Sequence, residues 1–241
     1  MIDLHCHFLP GIDDGPETLD EALDLARAAV ADGITHSVLT SHLNLDLYPN
    51  DQSSLRGAMD DFARHLQEAG IALNVSLGAE ARLCPELFDM LAQDRVPFLG
   101  TVAGYRILLL EFPHQTIPVG SARFVSQLLK LKIRPLIAHP ERNKAIMANP
   151  EKVRDFTQAG CWLQITAGSV VGRFGPAAQK TAFTLIDEGW NCMLATDAHN
   201  MQNRPPLLRE GRDMLTTRYG ETVAHSMVIK KPSQILGLAT A

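Results

Sequence analysis

The chain has 241 residues, 46% of them hydrophobic, and a net charge of −5. This suits one folded domain over residues 1–241, excludes a disordered chain, and excludes a general nucleic-acid binder, which needs a basic face. No window of roughly 18 apolar residues is present, so no membrane span is expected, and MIDLHCHF lacks the basic and apolar regions of a signal peptide.

The elements alternate between short apolar runs and longer amphipathic stretches. Residues 1–7 read as a strand. A helix over 18–31 follows, with Thr18 and Glu21 in capping-box spacing and Gly33 just past its end. Residues 34–40 are a second strand, 51–69 a helix closed by Gly70, and 71–78 a third strand. A short helix begins near Pro85. Residues 105–111, YRILLLE, are apolar enough to be covered on both faces. Then come a helix over 117–130, a strand over 133–138, a helix over 150–159, a strand over 162–166, a helix over 176–188 and a strand over 192–196. Helical sequence runs from about Pro205 to the end. Strand–helix alternation implies a parallel sheet with right-handed crossovers.

The polar residues then fall into a pattern. His5 and His7 end strand one, with Asp14 in the next loop. His42 follows strand two and Glu80 strand three. Glu111 ends strand four, His139 follows strand five, and Asp197 and His199 follow strand seven. All lie at C-terminal strand ends. In a closed barrel those ends share one rim; in an open sheet they would be strung along a line. A seven-stranded α/β barrel is therefore expected. His5 and His7 are two apart on a strand and so share a face.

Five histidines and four carboxylates are too many for one zinc ion, which takes about four ligands, but suit two or three ions with bridging carboxylates. Imidazole and carboxylate together fit manganese, iron or zinc. Three divalent ions turn a site charge of about −4 into about +2, which complements a phosphate monoester of about −1.5 to −2. Arg142 and Arg204 flank the last two motifs and can grip phosphoryl oxygens with their planar forks. The expected chemistry is in-line attack on phosphorus by water made acidic by the ions. No Cys-x5-Arg spacing, Walker loop or dinucleotide fingerprint appears. The four cysteines form no CxxC pair, so a cytoplasmic, reduced protein is expected.

The motifs DLHCH, TSH, GAE, EFP, AHPER and DAHN, in this order, resemble the polymerase and histidinol phosphatase (PHP) superfamily. HFLPGIDDGP, QITAGSVVGRFG at 164–175 and the RPP after DAHN are more specific. With them the chain resembles the manganese-dependent tyrosine phosphatases of bacterial capsule and exopolysaccharide operons. That resemblance implies a distorted seven-stranded TIM-like barrel and three Mn2+ ions. It implies the ligands His5, His7, Asp14, His42, Glu80, Glu111, His139, Asp197 and His199. It also implies catalytic roles for Arg142, Arg204 and His199, and a phosphotyrosine protein, an autophosphorylating bacterial tyrosine kinase, as substrate. The family pattern favours Asp14 over Asp13 as the loop ligand. Asp3 either orients an imidazole or caps the strand. Leu43 stands where many relatives have a second histidine, so the pocket rim is expected to differ. The competing functions are a small-molecule phosphatase of the histidinol-phosphate type and a non-catalytic binding domain. Nothing in the sequence reports the oligomeric state.

Overall fold

The computed structural model describes residues 1–239. In chain order the elements are β1 (Ile2–Cys6), α1 (Leu19–Asp32), β2 (His36–Leu39), β3 (His42–Leu43), α2 (Gln52–Glu68), β4 (Asn74–Leu77), β5 (Glu80–Arg82), α3 (Leu87–Ala92), β6 (Gly100–Val102) and β7 (Tyr105–Glu111). They continue with α4 (Ser121–Lys130), β8 (Ile133–Ala138), α5 (Lys144–Ala148), α6 (Arg154–Ala159), β9 (Trp162–Thr166), α7 (Ala167–Val170), α8 (Gly175–Asp187) and β10 (Cys192–Ala195). The chain closes with α9 (Arg209–Tyr219), α10 (Glu221–His225), a π-helical turn and α11 (Lys231–Leu236). The expected helix to the chain end reaches residues 240–241, which lie outside the described residues.

The seven expected strands are present, and the fold is mixed α/β with parallel sheets. The capping box of α1 forms as read: the Thr18 side chain accepts from the Glu21 N–H, the Glu21 carboxylate reaches back, and Gly33 closes the helix in left-handed backbone. Three boundaries move. The helix expected from residue 117 begins at Ser121, because the Ser121 N–H and hydroxyl both donate to the Pro118 carbonyl and make a turn there. The helix over 150–159 opens with a 3-10 turn at Pro150–Val153. The last helical region begins at Arg209 rather than Pro205, where the Asp32 carboxylate accepts from the Leu208 and Arg209 N–H groups.

The strands fall into two sheets rather than one continuous hydrogen-bonded ring. One has the order β1-β2-β4; the other has the order β10-β9-β8-β7-β5-β3, with β6 antiparallel on β7. Past the ends of the second and third expected strands the chain bends and forms two further short strands, β3 and β5, which pair in the second sheet. At the other junction Cys6 and Ala198 form an isolated parallel bridge, with the His7 N–H on the Ala198 carbonyl at 2.9 Å and the Asp197 N–H on the His5 carbonyl at 2.8 Å. These contacts bring the ends of β1 and β10 together.

Two apolar clusters flank the strands. The larger packs strands against helices through residues such as Phe8, Leu25, Phe62, Leu108, Leu110 and Leu163. The smaller gathers Leu4, Val38, Ile107, Leu109, Leu136 and Met193. On β7, Ile107, Leu109 and Glu111 share a face by strand alternation, so this cluster leads up to the Glu111 carboxylate. Each fully buried aliphatic side chain contributes about 1.5–3 kcal/mol, which anchors strands whose ends carry charge.

Candidate metal centre

The structure brings all nine expected ligands to one place. Glu80 sits between three histidines: its Oε1 lies 2.7 Å from His139 Nε2, and its Oε2 lies 3.1 Å from His42 Nδ1 and 3.3 Å from His5 Nε2. His5 Nε2 is 3.1 Å from His7 Nε2 and 3.1 Å from Asp197 Oδ1. Asp14 Oδ1 lies 3.2 Å from both His42 Nε2 and His199 Nε2. Donor atoms cluster in three groups, each within 4.8 Å: His7, Asp14, His42 and His199; His5, His7, Glu80 and Asp197; Glu80, Glu111 and His139. His7 and Glu80 are shared. Among the described residues no other residue enters these groups.

The backbone is bent to this end. His139 (φ 31°) and Asp197 (φ 54°) adopt the left-handed region, which costs a non-glycine residue about 1–2 kcal/mol. Each follows a strand, and the turn swings its side chain inward. Gly15, in DDGP, is required by close approach: a Cβ there would lie 2.4 Å from the His7 carbonyl oxygen.

Charge in the centre is strongly coupled. Burial alone would depress His5, but Glu80 and Asp197 outweigh it and raise its pKa. Burial likewise opposes protonation of His7, and Asp13 overcomes it. Burial would raise Glu80, but His5, His42 and His139 hold it well below the usual carboxylate range. His199 moves the other way: burial and the neighbouring His7 lower it to about 4, which leaves its ring neutral at physiological pH. Glu80 Oε2, Asp197 Oδ1 and His199 Nε2 are shielded from solvent yet make no hydrogen bond. Buried polar atoms left without partners cost about 1–3 kcal/mol each. A divalent cation among them would satisfy these atoms and balance the carboxylates, so the donor set fits metal ions.

Comparison with known proteins agrees with that chemistry. The family model for capsular polysaccharide synthesis proteins, CpsB/CapC, matches residues 1–237. The chain belongs to the CpsB/CapC family. It is 34% identical over 231 residues to the tyrosine-protein phosphatase YwqE of Bacillus subtilis, covering 94% of this chain and 88% of that one. It is 31% identical to the putative tyrosine-protein phosphatase CapC of Staphylococcus aureus, covering 87% and 81%. A crystal structure from work on YwqE and the CpsB of Streptococcus pneumoniae, described as unique metal-dependent tyrosine phosphatases, superposes with a TM-score of 0.91 at 31% identity. It covers 100% of this chain and 96% of that one. Likeness of fold alone extends to a phosphotriesterase homology protein of Escherichia coli, with a TM-score of 0.62 at 12% identity over 97% of both chains.

Around this CpsB/CapC centre lie residues that hold the ligands, of which the sequence did not single out Gln164, Arg82 or Tyr48. Asp13 accepts from His7 Nδ1 at 2.7 Å and from the His42 and Gly15 N–H groups, so it braces the imidazoles while Asp14 faces the centre. Gln164 Oε1 accepts from His5 Nδ1 at 2.8 Å and from the His139 N–H at 3.1 Å. Such a partner fixes which ring nitrogen is free. Arg82 pairs with Glu111 at 2.9 Å. Asp3 is buried and accepts from the Thr196 N–H at 2.9 Å and from the His5 N–H at 3.3 Å, fastening β1 to the end of β10 and meeting His5 at its backbone rather than its imidazole. Leu43 points into the core, and Tyr48 stacks on His42 at the rim, 5.5 Å between ring centroids and 10° from parallel.

Both expected arginines reach the centre. Arg142 donates to Asp197 Oδ2, as does Arg204 at 2.6 Å. Beside His199 a cavity of about 320 Å³ opens between Gly15, Pro16, Leu25 and Met201. No helix among the described residues is long and apolar enough to cross a membrane.

Proposed function

We propose that this protein is a metal-dependent protein-tyrosine phosphatase, acting on an autophosphorylated bacterial tyrosine kinase that regulates polysaccharide export. The observation that carries the reading is the set of three imidazole–carboxylate groups, which use all nine sequence-derived candidates. In this reading each group holds one ion. Manganese is the metal of this reading, and the oxygen and nitrogen donors also suit iron or zinc. The two sheets form one distorted seven-stranded barrel of the PHP type, a single catalytic domain joined through the Cys6–Ala198 bridge.

When bound, the ions supply a water acidic enough to attack phosphorus near neutral pH, and they offset the phosphoryl charge. The chain's own residues do the rest. Arg142 and Arg204 reach the centre over Asp197 and present planar N–H donors to phosphoryl oxygens as charge builds in the transition state. Gln164 keeps the Nε2 edge of His5 turned inward. His199, neutral at physiological pH, offers a lone pair rather than a proton. The cavity beside His199, between Gly15, Pro16, Leu25 and Met201, is the place for the phosphotyrosine ring in this reading.

A cytoplasmic location goes with four unpaired cysteines. Three of them are buried, and burial pushes the thiols of Cys161 and Cys192 up to about 12. None is a nucleophile in this scheme. The test is phosphate release from phosphotyrosine peptides by Mn2+-loaded protein. Activity is expected to vanish on chelation, return with Mn2+, and survive thiol alkylation. Equal or better turnover of histidinol phosphate would overturn the tyrosine assignment in favour of the small-molecule alternative.

A further inference from the structure

The segment QITAGSVVGRFG at 164–175 supplies no metal-ligand candidate, yet it wraps Arg142 closely. The Phe174 ring lies against the Arg142 guanidinium, 4.5 Å from ring centroid to Cζ. Only one guanidinium nitrogen, Nη1, hydrogen-bonds to the protein among the described residues, at Asp197. The stack on Phe174 therefore holds one face of the fork, while Nε and Nη2 carry no protein partner among the described residues.

The ring itself is braced. The Arg173 N–H donates to the Gly168 carbonyl at 2.8 Å, and the Gly175 N–H to Gly172 at 3.0 Å. The Arg173 guanidinium pairs with Glu210 at 2.7 Å, tying the turn to α9. Gly168 makes room: a Cβ there would lie 2.9 Å from Phe174 Cε2. On the other side, buried Glu141, next to Arg142 in sequence, accepts from the Ser169 hydroxyl at 2.7 Å and the Thr166 N–H at 2.9 Å. The segment thus holds the Glu141 carboxylate, on the residue preceding Arg142, at one end and the Arg142 guanidinium at the other.

We propose that Phe174 is a positioning residue that fixes the plane of the Arg142 guanidinium for phosphoryl recognition, with Gly168 retained to seat the ring. The proposal rests on the reading that Arg142 binds the phosphoryl group. An arginine stem has several rotatable bonds, and a fork restricted to one plane loses less freedom when it takes up two oxygens.

The test compares Phe174→Leu, Phe174→Tyr and Arg142→Ala, and the Phe174→Leu/Arg142→Ala pair, with p-nitrophenyl phosphate as substrate and inorganic phosphate as inhibitor. Bound metal per chain and melting temperature are measured alongside. Phe174→Leu is expected to raise KM and the phosphate inhibition constant about 5-fold, the size of a partly buried cation–π contact, while Phe174→Tyr stays within about 2-fold of the natural protein. Metal content and kcat change far less than KM. In the Arg142→Ala background Phe174→Leu should have no further effect on phosphate affinity. An effect that persists without Arg142, or an unaltered KM in Phe174→Leu beside a weakened Arg142→Ala, overturns the positioning role. Unchanged phosphate affinity in Arg142→Ala itself would overturn the underlying assignment of Arg142 and the proposal with it. If Phe174→Leu does not fold, Gly168→Ala, which displaces the ring without removing it, is held to the same pattern.

Discussion

Asp13 and Asp14 are adjacent in sequence and do different work. Asp13 is largely buried and gives its oxygens to His7 Nδ1 and two backbone N–H groups. Asp14 is partly exposed and faces His42 and His199. Their substitutions should therefore differ in kind. Asp14→Ala is expected to lose an ion of the His7–His42–His199 group, read as metal content per chain. Asp13→Asn keeps the ion count but lowers metal affinity about 10–100-fold, as for other partners that orient a ligand. Identical metal stoichiometry and affinity in the two variants would remove the distinction. His139→Ala should lose most activity with an unchanged circular dichroism spectrum. The His-x-His alternation and the residues at strand ends were legible because strand geometry alone aligns them. The family pattern favoured Asp14 over Asp13 as the ligand, but the bracing contacts of Asp13 were not legible, since they depend on the dihedral angles of a short loop. Gln164 left one faint signal, a polar residue inside the apolar strand WLQIT, and its role needed the position of His5 across 159 residues of sequence.

At the level of elements, the apolar runs marked the seven strands because burial on both faces leaves little choice of residue. The bends that make β3 and β5 were hidden: Thr40–Ser41 and Gly78–Ala79 read as strand ends, yet the chain continues past them into a second sheet. Those bends carry His42 and Glu80 onto strands of their own. Helix starts at Ser121 and Arg209 were missed because a turn and a distant carboxylate, Asp32, set them rather than periodicity. The DDGP loop offers the sharpest test at this scale. A methyl group at Gly15 would strike the His7 carbonyl, and its φ is not left-handed, so the constraint is space alone. Gly15→Ala should cost about 1–3 kcal/mol by forcing the loop outward. Because Asp13 and Asp14 travel with the loop, metal affinity should fall as well, measured by calorimetric titration. A destabilised variant with wild-type metal affinity would show that the loop yields elsewhere.

Across the whole molecule, the candidate ligands run from His5 to His199 and come from both sheets. Binding there should act on global stability rather than on one loop. The ladders are held by backbone hydrogen bonds and the two apolar clusters contain no candidate ligand, so the chain is expected to fold without metal. A ligand that binds only the folded state adds about 2.7 kcal/mol per independent site at a concentration 100 times its dissociation constant. For a chain of this size 1 kcal/mol moves the melting temperature by about 2–4 °C. Addition of Mn2+ to metal-free protein should therefore raise the melting temperature by at least about 5 °C. Asp197→Asn should reduce that rise, and it should also lower the metal-free value, because Arg142 and Arg204 lose their buried carboxylate partner even though asparagine tolerates the left-handed backbone there. Differential scanning calorimetry with and without Mn2+ on both proteins checks this. A single transition that shifts as a whole means that the two sheets unfold together around the ions. A transition that splits, with only part of it responding to Mn2+, would mean that the centre is built on one sheet and leaves the other independent.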